Sequence, residues 1–141
     1  MIMERFDFLV RSCKLADTLI DVQKLTPSIG AEIFGVDLGA EISARQFQAI
    51  HQALLDHQVI FFRDQKMSVD QQKAFVRQFG ELHIHPGPRF PIDGHPEILG
   101  IWADENSKRV SGEEWHSDVS CEPKPAMASM LYIHEVPKND G

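Results

Sequence analysis

Long apolar runs are missing from this sequence of 141 residues: no stretch approaches the roughly 18 consecutive apolar residues that a membrane-spanning helix requires. Residues 1–17 lack a basic start followed by a sustained apolar segment, so no secretory signal is read there. Cysteine is scarce. Cys13 and Cys121 are the only two, they lie far apart without CxxC spacing, and neither a disulfide framework nor a zinc ribbon is suggested. Excess positive charge is also absent, with 14 Lys and Arg against 21 Asp and Glu, for a net charge of −7. No basic run offers itself to a phosphate backbone, which argues against nucleic acid as a partner. The expectation is a soluble, cytoplasmic domain that binds neither nucleic acid nor membrane.

What is present is alternating strand-like and helix-like signal. Residues 1–24 carry mixed charge around Phe6, Phe8, Leu9 and Val10 and read as an N-terminal extension, whereas residues 25–141 read as one domain. Residues 29–38 place apolar side chains mostly at alternating positions with glycine punctuation, the pattern of one or two short bending strands. Ser43 with Gln46 forms a capping box, and Phe47, Ile50 and Leu54 line one face of a helix over residues 44–56. Val59-Ile60-Phe61-Phe62 suits a buried strand ended by Arg63-Asp64-Gln65. Ser68 with Gln71 repeats the capping box, Phe75 and Phe79 follow at i, i+4, and Gly80 stands at a C-cap position. Further strands are expected over residues 98–102 and 129–136, with a polar loop at 103–112 between them.

The chemistry concentrates in Trp115-His116-Ser117-Asp118. In an extended segment, residues i and i+2 project to one face, so His116 and Asp118 can converge on one ion. An imidazole and a carboxylate suit ferrous iron, and iron(II) oxygenases use two histidines and one carboxylate on one octahedral face. Of the other histidines, His51 and His57 are six residues apart, wrong for a shared ion on one helical face, and read as structural. His134 reads as a strand residue near a sheet surface. His83 and His85 share one side of an extended segment, and with His116 and Asp118 they admit a second reading, a hydrolytic zinc site.

Several blocks in order resemble the taurine dioxygenase and 2,4-dichlorophenoxyacetate dioxygenase family of iron(II)- and 2-oxoglutarate-dependent oxygenases. They are Ile29-Gly30-Ala31-Glu32-Ile33, Gly35-Val36-Asp37-Leu38, the stretch from His57 through Gln65, the stretch from Phe79 through Pro86, Trp115-His116-Ser117-Asp118-Val119, and Leu131-Tyr132 with Glu135-Val136-Pro137. The resemblance runs from about Leu25 to Gly141. It implies an α+β, mainly β fold: the N-terminal half of a double-stranded β-helix, or jelly roll, with flanking helices and an incomplete core. His116 and Asp118 would be iron ligands on an early core strand, with Fe(II) as cofactor, 2-oxoglutarate as co-substrate, and molecular oxygen and a small organic acid as reactants. His85 falls where taurine dioxygenase contacts the substrate sulfonate, and Val119 beside the ligand pair joins it as a substrate-binding residue.

The carry-over is uneven. Taurine dioxygenase has a tyrosine where this chain has Pro88, and an asparagine where it reads Gly112-Glu113-Glu114, so a sulfonate other than taurine, a sulfate ester or an aryloxyalkanoate is an equal expectation. In the family the turn at Asn139-Asp140-Gly141 continues into a segment that helps hold 2-oxoglutarate, and the second histidine and the 2-oxoglutarate arginine follow far downstream. The third iron ligand and the 2-oxoglutarate residues are accordingly expected beyond Gly141, with the chain alone inactive and prone to self-association through uncovered apolar strands. The competing reading is a truncated or degenerate paralogue acting as an interaction module.

Overall fold

A computed structural model describes residues 19–85, 91–104, 106–108, 114–120 and 122–136. The sequence readings at residues 1–18 (with Cys13), Pro88, Gly112, Glu113, Cys121 and 137–141 lie outside the described residues. The chain divides into two compact units, Met1–Gln78 and Phe79–Gly141.

The first unit is a small mixed sheet with two helices. Strand β1 (Asp21–Lys24) pairs antiparallel with β2 (Ala31–Phe34), Asp21 opposite Phe34 and Lys24 opposite Ala31. Gly30 sits between them at φ +89°, a conformation that an L side chain resists, and lets the hairpin close. Thr26 supports the turn, its Oγ1 accepting from the amide of Ile29 at 3.0 Å. β1 falls within the segment read as an extension. All four of its residues are exposed, so they carry no apolar alternation by which a strand is recognised, and only the pairing with β2 makes them one.

Helix α1 (Ala44–His57) connects β2 to β3 (Ile60–Phe61), which lies parallel to β2 with Ile60 opposite Ala31. A parallel pair requires such a crossover. The expected capping box at Ser43 and Gln46 is present, and the helix buries Ile50 and Ala53 completely or nearly so against the sheet side. Its end is held by Gln58, at φ +66°, whose amide donates to the carbonyl of Leu54 at 2.7 Å. Strand β3 is shorter than the run suggests. Asp64, at φ +55°, turns the chain away, and Phe61 remains partly exposed with the Arg63 guanidinium 5.8 Å above its ring.

Helix α2 (Val69–Val76) begins at the second capping box, Ser68 and Gln71. It ends at Arg77 rather than near Gly80, because the 77–79 turn already closes on the carbonyls of Lys73 and Phe75. Phe75 is buried and meets the edge of Phe62 at 6.2 Å between ring centres. A polar staple ties the loop after β2 to the chain after β3: Gln65 accepts from the Leu38 amide at 2.8 Å and donates to the carbonyls of Arg63 and Val36 at 2.9 and 3.2 Å. The chain approaches so closely that a Cβ on Gly39 would lie 2.5 Å from the Lys66 carbonyl oxygen.

In the second unit the only regular structure among the described residues is a hairpin, β4 (Pro91–Ile92) with β5 (His95–Leu99), turned by Gly94 at φ +76°. The strand expected at 98–102 is thus displaced toward the N-terminus, since the register with β4 fixes which residues pair. The strand expected over 129–136 does not form. Its side chains keep an alternation, Met130 and Tyr132 half-buried and Leu131 and Ile133 exposed, but no described neighbour supplies the ladder that defines a strand. The sheet-and-helix unit is present, and a jelly-roll core is not seen among the described residues.

Candidate functional site

His116 and Asp118 lie on an irregular stretch, 115–117, that enters a turn at 118–120, not on a strand. Strand geometry is unavailable there for two reasons: no described segment pairs with it, and Val119 takes φ +43°. A positive φ is costly for a β-branched residue and marks a position held by its surroundings. The turn closes through the Glu122 amide, which donates to the Val119 carbonyl at 3.0 Å, and Ser117 and Ser120 share a hydroxyl hydrogen bond at 2.7 Å.

The two side chains nevertheless converge, His116 Nε2 standing 3.2 Å from Asp118 Oδ1. Each is oriented from behind. The Nδ1 of His116 is 2.7 Å from the carbonyl oxygen of Glu114, and Ser129 Oγ donates to Asp118 Oδ2 at 2.7 Å. A carbonyl oxygen only accepts, so Nδ1 carries the proton and Nε2 is the nitrogen left to face the carboxylate. If Nε2 were bare, acceptor would oppose acceptor at 3.2 Å; a proton or a metal ion resolves the conflict. Nitrogen and oxygen donors with their outer atoms already hydrogen-bonded are the ordinary setting of metal ligands, and the pair fits a divalent cation as two of its ligands. Both side chains are more than half exposed, 53% and 59%, so as an ion pair they contribute little to stability.

No group of three or more His, Cys, Asp or Glu able to hold a metal ion occurs among the described residues. His83, His85, His116 and Asp118 are all described and do not assemble, which overturns the zinc reading. No strand pairing links residues 81–85 to 114–120. His83 and His85 do share the half-buried side of their segment, with Ile84 exposed between them.

Of the remaining histidines, His95 lies on β5 and the other three lie elsewhere. His51 on α1 tilts against the Phe47 ring at 5.9 Å, the carbonyl of His57 accepts from the Gly30 amide at 2.9 Å, and the His134 ring meets Tyr132 edge-on at 4.5 Å. In the described part of the polar loop after β5, the Asp104 carboxylate is hydrogen-bonded within its own turn. Asp104 Oδ1 accepts from the Ser107 hydroxyl at 2.9 Å and the Asn106 amide at 3.0 Å, and these bonds, Ser107 first, hold its carboxyl below the ordinary carboxylate range. Ser129 is the site residue that sequence patterns did not single out. It lies eleven residues from Asp118 and carries no spacing signal.

No helix among the described residues is long and apolar enough to cross a membrane. The chain is 36% identical over 120 residues to an alkylsulfatase of Acinetobacter baylyi, covering 82% of this chain and 37% of that protein. It is 34% identical over 123 residues to an alpha-ketoglutarate-dependent sulfate ester dioxygenase of Pseudomonas putida, covering 86% and 40%. Its fold matches the crystal structure of a taurine dioxygenase from Burkholderia xenovorans at a TM-score of 0.62 and 35% identity, over 77% of this chain and 38% of that one. The chain thus spans about two fifths of the length of the curated relatives it matches. The family model described as "Taurine catabolism dioxygenase TauD, TfdA family" matches residues 21–141, in agreement with the resemblance read from the sequence blocks, and the chain belongs to that family.

Proposed function

We propose that this chain carries the His116 and Asp118 portion of an iron(II) site in a 2-oxoglutarate-dependent dioxygenase that hydroxylates a small organic acid, releasing succinate and carbon dioxide. The observation that carries the reading is the convergence of His116 Nε2 and Asp118 Oδ1 at 3.2 Å, each oriented by a partner on its far side. Bound iron would supply oxygen activation, with 2-oxoglutarate as the source of two electrons. The protein residues do the positioning. Glu114 presents Nε2 of His116 outward through its backbone carbonyl, and Asp118 offers one oxygen.

Two such ligands leave room for a third and for the co-substrate, and the residues supplying these are sought beyond the described ones. In this reading the imidazole of His85 donates to the acidic group of the substrate and Val119 forms an apolar wall beside the ligand pair. The similarity to an alkylsulfatase and to a sulfate ester dioxygenase favours a sulfate ester over a sulfonate or an aryloxyalkanoate.

The test has two stages. The reading frame is sequenced through the Gly141 codon, and the protein it encodes is incubated with Fe(II), 2-oxoglutarate, oxygen and a primary alkyl sulfate. Expected are a frame continuing to a distant histidine and arginine, and succinate formed in step with inorganic sulfate. A stop codon, together with a chain that neither binds Fe(II) nor forms succinate, would favour the non-catalytic reading.

A further inference from the structure

Ser129 stands eleven residues from Asp118 and reaches it across the turn, its hydroxyl 2.7 Å from Oδ2. An ionised carboxylate can only accept, so the serine is the donor and one of the two carboxylate oxygens is committed to it. The other, Oδ1, is the one that faces His116. On the C-terminal side of Ser129, Met130 is half-buried and Tyr132 packs its ring on His134. The carboxylate plane is therefore set by a tertiary contact, not by the local turn alone.

We propose that Ser129 is a positioning residue that holds Asp118 to ligation through Oδ1 only. The inference rests on the iron-site reading above and deepens it. A carboxylate with both oxygens bare can close on a cation through two bonds and occupy a position that a reactant needs. Capped by a hydroxyl on Oδ2, the same group offers one bond in a fixed direction. Loss of the hydroxyl therefore weakens the aligned site and changes how many positions on the ion remain for water. Partners behind metal ligands are worth roughly 10–100-fold in metal affinity, and Ser129 is expected within that range.

The experiment uses the full chain and Mn(II) alone, a hard divalent ion followed by electron paramagnetic resonance for affinity and by water-proton relaxation for the number of bound waters. Wild type, Ser129→Ala, Ser129→Thr and His116→Ala are compared, with circular dichroism as a check on folding. The expected result is an affinity about tenfold or more weaker in Ser129→Ala, one fewer bound water at saturation, and recovery of both in Ser129→Thr, which keeps the hydroxyl. Ser129→Ala binding within twofold of wild type with an unchanged water count would overturn the positioning role while leaving the site intact. Failure of Ser129→Thr to recover, in a protein with an unaltered dichroism spectrum, would also overturn it. Equal Mn(II) binding by wild type and His116→Ala would instead remove the iron-site reading, and this inference with it.

Discussion

The two units of this chain are held together by different forces. Every buried hydrophobic residue among the described ones, from Ile20 through Ala31, Ile33, Leu38, Ile50 and Ala53 to Phe75, belongs to the first unit. No described residue of the second unit is buried, and there Trp102, Trp115, Leu131, Ile133 and Val136 stand in solvent. Burial of apolar surface, at about 25 cal/mol per Å², therefore orders the sheet and helices of the first unit. The proposed ligand pair, His116 and Asp118, sits in the second, where orientation depends on a few polar contacts: Glu114 to His116, Ser129 to Asp118, and the turn around Val119. The lesson is that scaffold and candidate chemistry are separable here, and substitutions in one unit should read out differently from those in the other.

Matched apolar deletions in the two units should differ sharply in cost. Ile50→Ala removes a side chain with no exposure and should cost about 2–5 kcal/mol in denaturant unfolding. Leu131→Ala, at a side chain 76% exposed, should change stability by no more than about 0.5 kcal/mol. Equal costs at the two positions would refute the contrast.

Gln65→Ala tests the polar staple of the first unit. It leaves the part-buried amide of Leu38 and the carbonyl of Val36 without the partners Gln65 gives them, and should cost about 1–3 kcal/mol by the same measurement. Ser43→Ala removes the cap on α1 and should cost about 1 kcal/mol, seen as lowered helical dichroism melting temperature.

The smallest effect is expected in the second unit. The Asp104 carboxyl, held low chiefly by Ser107, stabilises its turn while ionised. That contribution is present above the unfolded carboxylate pKa and is lost as pH falls through the lowered folded value. Carbon-detected NMR titration should show the Asp104 midpoint moving upward in Ser107→Ala, with no change in global unfolding.

What could be read in the sequence divides along the same line. Both helices and their capping boxes were legible because a cap and an amphipathic face are local, set by residues three or four apart such as Ser43 with Gln46 and Ser68 with Gln71. Strands are pairings, and their fate was harder to see. β1 is wholly exposed and gave no alternation, yet it pairs, while the apolar run Met130–Ile133 alternates in burial and pairs with nothing described. The His116 and Asp118 spacing was legible, but the strand expected to align them is replaced by a turn that brings them together by another route. Ser129 was invisible because its contact with Asp118 exists only in three dimensions.

Whether His116 and Asp118 form a metal-binding half-site can be read by titrating the isotopically labelled chain with Mn(II) and following all seven histidine ring signals by NMR. The His116 resonances should broaden first, and Asp118→Ala should abolish the selectivity. Broadening centred on His83 and His85, or spread evenly over the seven, would contradict it.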